Sequence, residues 1–287
     1  PCIMRELFRK AIKITNYNII LAIPLIIFIK VLDLYSLYSK YNIDSTPKFL
    51  VASLTVLVMF GIFCAGWFNM IEGAINLSKK VFVLDKDRAR ATLNLFKLFG
   101  EGVGKYFLPF VGVYLIFFVI QAIATPIVYF LGVNIIGGLD ATSMQHLQEL
   151  TINTELAANQ GMPAFIDKLS IEQIIFFGKW SLLFMSVTSI VMYFLMFWIP
   201  EIICCTQNPL VALWRSIVKL FKDFFTTVRL YIILWFVGFM LLFINTFAVI
   251  NPLAYIIMSI VLFYYSVYLV VLIFLYFNRK YIGKTDE

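Results

Sequence analysis

A charge placed inside an apolar stretch needs a partner or a purpose, so the ionisable side chains that interrupt such stretches come first. Glu72 stands toward the end of a long apolar run, between Asn69 and Asn76, and Glu201 directly follows Pro200 at the end of another. Two carboxylates at matching depth could bind a cation or relay protons. They could equally anchor helix ends by pairing with Lys or Arg on the basic segments that follow each of them, and this second reading is the expected one. Lys30 and Asp33 are three residues apart, on one helical face near the outer end of their run. They read as a snorkelling ion pair, with a gate for ion or substrate as the alternative. Gln121, Thr125 and Pro126 form a polar, kinked stretch inside a third run, where such residues commonly serve contacts between helices. Glu72, Glu201, Asn69, Gln121, Lys30 and Asp33 are therefore the candidates for an ion or substrate path.

Other chemistries lack their companions. There is no HExxH, no P-loop, and no serine on a strand-to-helix elbow with His and Asp partners. Gly100, Gly102 and Gly104 follow no strand and do not meet the dinucleotide spacing. His146 is the single histidine and reads as a surface imidazole. The cysteines are Cys2, Cys64, Cys204 and Cys205, without a CxxC. A His/Cys metal site then has no second cluster, and neither metal nor cofactor is expected. The thiols read as apolar filler, with acylation of the vicinal pair as the alternative in a eukaryotic cell. No enzyme is expected.

The elements that position these residues follow from composition. Of 287 residues, 62% are hydrophobic and 14% charged, and phenylalanine occurs 30 times. An average soluble domain is roughly 25% charged. With a mean hydropathy of +0.93, the chain reads as an all-α, multi-pass membrane protein. Six runs reach the roughly 20 apolar residues a span needs, at 19–37, 49–77, 106–131, 174–199, 230–250 and 253–277, in one transmembrane domain. Asn251-Pro252 makes a tight turn between the last two. Met4 reads as the natural start, and no cleavable leader is expected, because the first run is long and lacks a small-residue cleavage site.

The connections sort by charge. Arg5, Arg9, Lys10 and Lys13 precede the first span, basic residues crowd the second and fourth connections, and Arg279, Lys280 and Lys284 close the chain. The first and third connections are poor in base. The positive-inside rule then puts both termini in the cytoplasm; the inner membrane of a bacterium is the expected location. The same bias accounts for the net charge of +7 without nucleic acid, for which no basic domain stands outside the membrane.

Two inner segments are expected to lie on the membrane as amphipathic helices, at 85–99 and 209–227. In the second, Asn208-Pro209 is a start signal, and Leu210, Leu213, Trp214, Ile217, Phe221 and Phe224 repeat at helical spacing. Arg215, Lys219 and Lys222, with Arg88, Arg90 and Lys97 in the first segment, are the expected ligands of anionic headgroups. The three glycines after the first segment read as a hinge. The polar connection 137–173 reads as a helical outer lid, opened by a cap at Asp140. A weak parallel repeat relates the two inner segments: a span ending near a carboxylate, a basic segment with Lys97-Leu98-Phe99 or Lys219-Leu220-Phe221, and a returning span.

Ile199-Pro200-Glu201, Asn208-Pro209-Leu210-Val211-Ala212-Leu213-Trp214-Arg215-Ser216 and Lys219-Leu220-Phe221 resemble a bacterial pattern. It is that of the six-helix membrane domain found ahead of some glycerophosphodiester phosphodiesterases, and of its stand-alone relatives. The resemblance spans about fifty residues, implies a fold and an accessory role, and carries over no catalytic residue, the soluble phosphodiesterase domain having no counterpart here. Two function classes are expected. One is a non-enzymatic protein that organises lipid or supports a membrane assembly, in contact with anionic lipid and other subunits. The other is a transporter or permease subunit coupled to an ATPase or using Glu72 and Glu201.

Overall fold

The computed structural model describes residues 2–138, 171–248 and 251–283, and every regular element among them is helical. The expected lid with Asp140 and His146, and Lys284 near the end of the chain, lie outside the described residues. In order the helices are α1 (Cys2–Tyr17), α2 (Ala22–Asn42), α3 (Thr46–Leu77), α4 (Asp85–Leu93), α5 (Leu95–Ile135), α6 (Ile171–Leu195), α7 (Trp198–Cys204), α8 (Pro209–Lys222), α9 (Phe224–Ala248) and α10 (Pro252–Phe277). Among the described residues six helical stretches are long and apolar enough to cross a membrane, and the chain is a multi-pass helical membrane protein.

Helix starts follow local chemistry. The Asn208 side chain accepts from the amides of Leu210 and Val211, and Asn251 does the same for Leu253 and Ala254. In both helices proline takes the first position, where its missing N–H is no loss.

Four features depart from the sequence reading. First, α1 is a helix in its own right: Leu7, Ala11 and Ile14 are buried on one side while Arg5, Arg9 and Lys13 are exposed on the other. Second, Gly100, Gly102 and Gly104 lie inside the unbroken α5, and the bend comes earlier, at Asn94. They are no hinge, because Gly102 is the point where α5 crosses α3. A Cβ there would overlap the Ala65 carbonyl and the Asn69 side chain, whereas Gly100 and Gly104 face open space. Third, the inner segments are shorter than 85–99 and 209–227. They stop at Leu93 and Lys222, and the next long helices begin at Leu95 and Phe224. Fourth, α2 runs on to Asn42, so Lys30 and Asp33 sit in its middle rather than near its end.

The chain forms two compact units, Pro1–Ile116 with Phe194–Glu287, and Phe117–Tyr193. In the first, α10 is the central post against which α1, α2, α3, α7 and α9 pack. Its core is aromatic. Phe68 stacks on Phe110 and on Phe274, and Phe197 meets Tyr276, Phe277 and Tyr281. Farther along the spans the apolar side chains are exposed, as at Leu34, Leu37, Leu54, Leu242 and Ile256. That is the distribution expected when lipid rather than protein solvates a helix. In the second unit Trp180 covers Gly132 and tilts against Tyr129.

Candidate functional site

A cluster of polar side chains of the first unit lies where the ends of α3, α7, α8 and α10 meet. Glu201, on the short helix α7, is 1% exposed. Pro200 and the break between α6 and α7 turn its side chain inward, where its Oε2 lies 2.5 Å from Lys219 Nζ of α8. The ammonium also stands 4.4 Å over the Phe277 ring and 5.1 Å over the Tyr281 ring. A cation held by one carboxylate and two aromatic faces is well compensated for its lost water. The other oxygen of Glu201, Oε1, is buried with no hydrogen-bond partner among the described residues.

Glu72 closes a second link. Its Oε1 accepts from the Asn76 amide at 3.2 Å and its Oε2 from the Asn278 amide at 2.8 Å. Asn278, the first residue after α10, is buried, and its carbonyl oxygen accepts from the Cys204 thiol. The ends of α3, α7 and α10 are therefore tied through Glu72, Asn278 and Cys204. From α8, Asp223 completes the clasp. The Tyr281 hydroxyl donates to its Oδ2 at 2.7 Å, and Lys280 pairs with its Oδ1 at 2.9 Å. Beside this cluster, burial and the neighbouring Glu201 charge push the Cys205 thiol above its ordinary value, which keeps it protonated and a poor nucleophile.

Of the sequence candidates, then, Glu72 and Glu201 come together at one end of the bundle. Asn69 does not face a path: its amide donates to the Leu98 carbonyl at 2.8 Å, joining α3 to α5. Lys30 and Asp33 pair at 3.4 Å with side chains 68% and 59% exposed. Gln121 belongs to the other unit, where it is half-buried and its carbonyl accepts from Thr125 one turn later. Among the basic candidates Arg90, Lys97, Arg215 and Lys222 are exposed, while Arg88 stacks 4.0 Å over the Tyr17 ring. Lys219 departs from the headgroup role: it points into the protein because Glu201 lies buried behind α8.

Sequence reasoning missed Asn278, Tyr281 and Asp223. Each is a polar residue in the few positions after a span or a basic helix, the one signal that could have found it. No protein-family model, no curated protein and no solved structure matches the chain.

Proposed function

We propose that this protein is a non-enzymatic membrane protein that gathers anionic lipid at the cytoplasmic face of a bacterial inner membrane and braces an assembly there. One contrast in how charge is used carries the reading. The carboxylates at the span ends, Glu72 and Glu201, are engaged inside the protein. The bases of the short helices make no ion pair among the described residues: Arg9, Lys10 and Lys13 on α1, Arg88 and Arg90 on α4, Arg215 and Lys222 on α8. Positive charge left without counter-charge beside exposed apolar side chains such as Trp214 and Phe221 suits an interfacial helix on an anionic surface. Each such base contributes about 1 kcal/mol to lipid attraction.

The positive-inside rule supports the placement, with both termini and α1, α4 and α8 on the cytoplasmic side. The resemblance to the membrane domain that precedes some phosphodiesterases agrees with an accessory role.

A second reading, a transporter or permease subunit that engages an ATPase or a cation, rests on the unpartnered Oε1 of Glu201. A carboxylate oxygen without a donor is one that a cation could use. The test is to isolate the protein in native-lipid nanoparticles and identify by mass spectrometry what stays bound. Anionic lipid in excess over its share of the membrane supports the lipid reading. A stoichiometric ATPase, or a transport defect in Glu72→Gln or Glu201→Gln cells, would replace it with the transporter.

A further inference from the structure

Between α1, the last turn of α3 and α4 lies a cavity of about 370 Å³, within the range of roughly 300–1,000 Å³ for small-molecule sites. Arg9, Lys10, Lys13 and Arg88 line it, against one carboxylate, Glu6. Glu6 is itself turned to Arg279, 3.5 Å away. None of the four bases has a carboxylate partner among the described residues.

Two further observations make this a built site rather than a basic surface. The Arg88 guanidinium carbon stands 4.0 Å over the Tyr17 ring and 5.9 Å from that of Phe82, and the guanidinium makes no hydrogen bond among the described residues. Stacking fixes the plane of a guanidinium and leaves its edge donors available, the arrangement that receives two oxygens of a phosphate side by side. The walls are also tied together, since the Thr92 hydroxyl of α4 reaches the carbonyl oxygen of Asn18, just beyond α1, at 3.5 Å. Asn18 in turn holds the last turn of α1 through the Ile14 carbonyl.

We infer that this cavity binds a phosphate-bearing anion, with Arg88 as the bidentate ligand and Lys10 and Lys13 as point charges around it. The inference rests on the lipid reading for its source. The cavity opens where α3 ends and α2 begins, the level of headgroups if the six stretches span the bilayer. A phosphatidylglycerol-type headgroup is thus the expected occupant, and a free phosphate compound is the other source of the same chemistry.

The test uses the full chain, reconstituted in phosphatidylcholine nanodiscs with a minor share of phosphatidylglycerol and read by native mass spectrometry after detergent washing. Wild type retains one phosphatidylglycerol per chain. Lys10→Gln/Lys13→Gln, at two exposed side chains of which Lys13 stands 5.8 Å over the Tyr17 ring, weakens that retention about tenfold or more. Arg88→Lys, which keeps the charge and loses the fork, weakens it too. Arg215→Gln/Lys222→Gln makes the same charge change on α8 and leaves the retained lipid in place. Equal loss in the α1 and α8 variants overturns the site while the lipid reading stands. No preference for phosphatidylglycerol over phosphatidylcholine in wild type overturns both. Displacement of the lipid by millimolar glycerol 3-phosphate or inorganic phosphate, blocked by the α1 variant, keeps the site and moves its occupant to the soluble pool.

Discussion

Lys219→Met removes the cation from a nearly closed carboxylate and leaves its side-chain volume almost unchanged. Glu201 is 1% exposed and Lys219 is 21% exposed. Because the carboxylate is buried and Lys219 is the cation paired with it among the described residues, the variant leaves a buried charge without counter-charge. Removing one member of a buried pair costs about 3–5 kcal/mol. Glu201→Gln is milder, about 1–3 kcal/mol, because the ammonium keeps partial access to water and the Phe277 and Tyr281 faces. In the double variant no buried charge remains, so its loss falls well short of the sum, with a coupling of about 2 kcal/mol. Lys222→Met, exposed on the same helix, changes stability by less than about 0.5 kcal/mol. Reversible unfolding in mixed dodecylmaltoside and SDS micelles, followed by tryptophan fluorescence, measures all four. If Lys219→Met costs no more than Lys222→Met, or if the two single losses simply add, the pair does not hold α8 to α7 and the clasp is refuted.

Other outcomes follow from the same geometry. Gly102→Ala destabilises by about 1–3 kcal/mol through overlap with the Ala65 carbonyl, whereas Gly100→Ala and Gly104→Ala, which meet nothing, stabilise by up to about 1 kcal/mol in the same unfolding assay. Asn278→Ala frees a Glu72 oxygen and the Cys204 thiol at once, and lowers stability by about 1–3 kcal/mol. Arg215→Glu/Lys222→Glu weakens the protein's preference for anionic over zwitterionic lipid in unwashed bilayers, and the difference shrinks as ionic strength rises, while the single lipid held beside α1 after washing stays. In a Cys2→Ser/Cys204→Ala background, the maleimide reaction of Cys205 turns on at higher pH than that of a free thiol, since burial and Glu201 both disfavour the thiolate. Glu201→Gln moves that profile to lower pH, and an unmoved profile would remove Glu201 as a cause.

The helical membrane class was legible because hydropathy runs are long-range statistics that tolerate local error. What failed to show depends on length or on a distant partner. α1 is 16 residues, too short for a search for spans, yet Leu7, Ala11 and Ile14 against Arg5, Arg9 and Lys13 already carry the helical period. The glycine run looked like a hinge because glycine weakens helices; its use at Gly102, closeness to another helix, needs knowledge of what crosses there. Lys219 was grouped with Arg215 and Lys222 because all three share a side of the helical wheel. Yet it follows the buried Ala212 by seven residues, nearly two full turns, and so points almost the same way. The wheel held the signal for an inward lysine; only the packing of α7 behind α8 explains it.

Among the described residues the order of elements recurs three times: a short helix followed by two long ones, as α1–α2–α3, α4–α5–α6 with its extension α7, and α8–α9–α10. In each set a polar residue in the last turns of the second long helix, on its extension or just after it joins the clasp: Glu72, Glu201 and Asn278. The recurrence bears on function. A path for ions needs polar groups in series along the depth of a bundle. Here the corresponding residue of each set sits at the same end, and these residues engage one another or the base of a short helix. Two of the three are carboxylates, and the third position is an uncharged amide that fills one oxygen of Glu72. Such an arrangement spends its polarity on holding the ends of α3, α7, α8 and α10 together. Lys219 apart, and with Arg88 stacked on Tyr17, the bases named on the short helices make no ion pair among the described residues, which under the proposed lipid reading leaves them to meet an anionic surface.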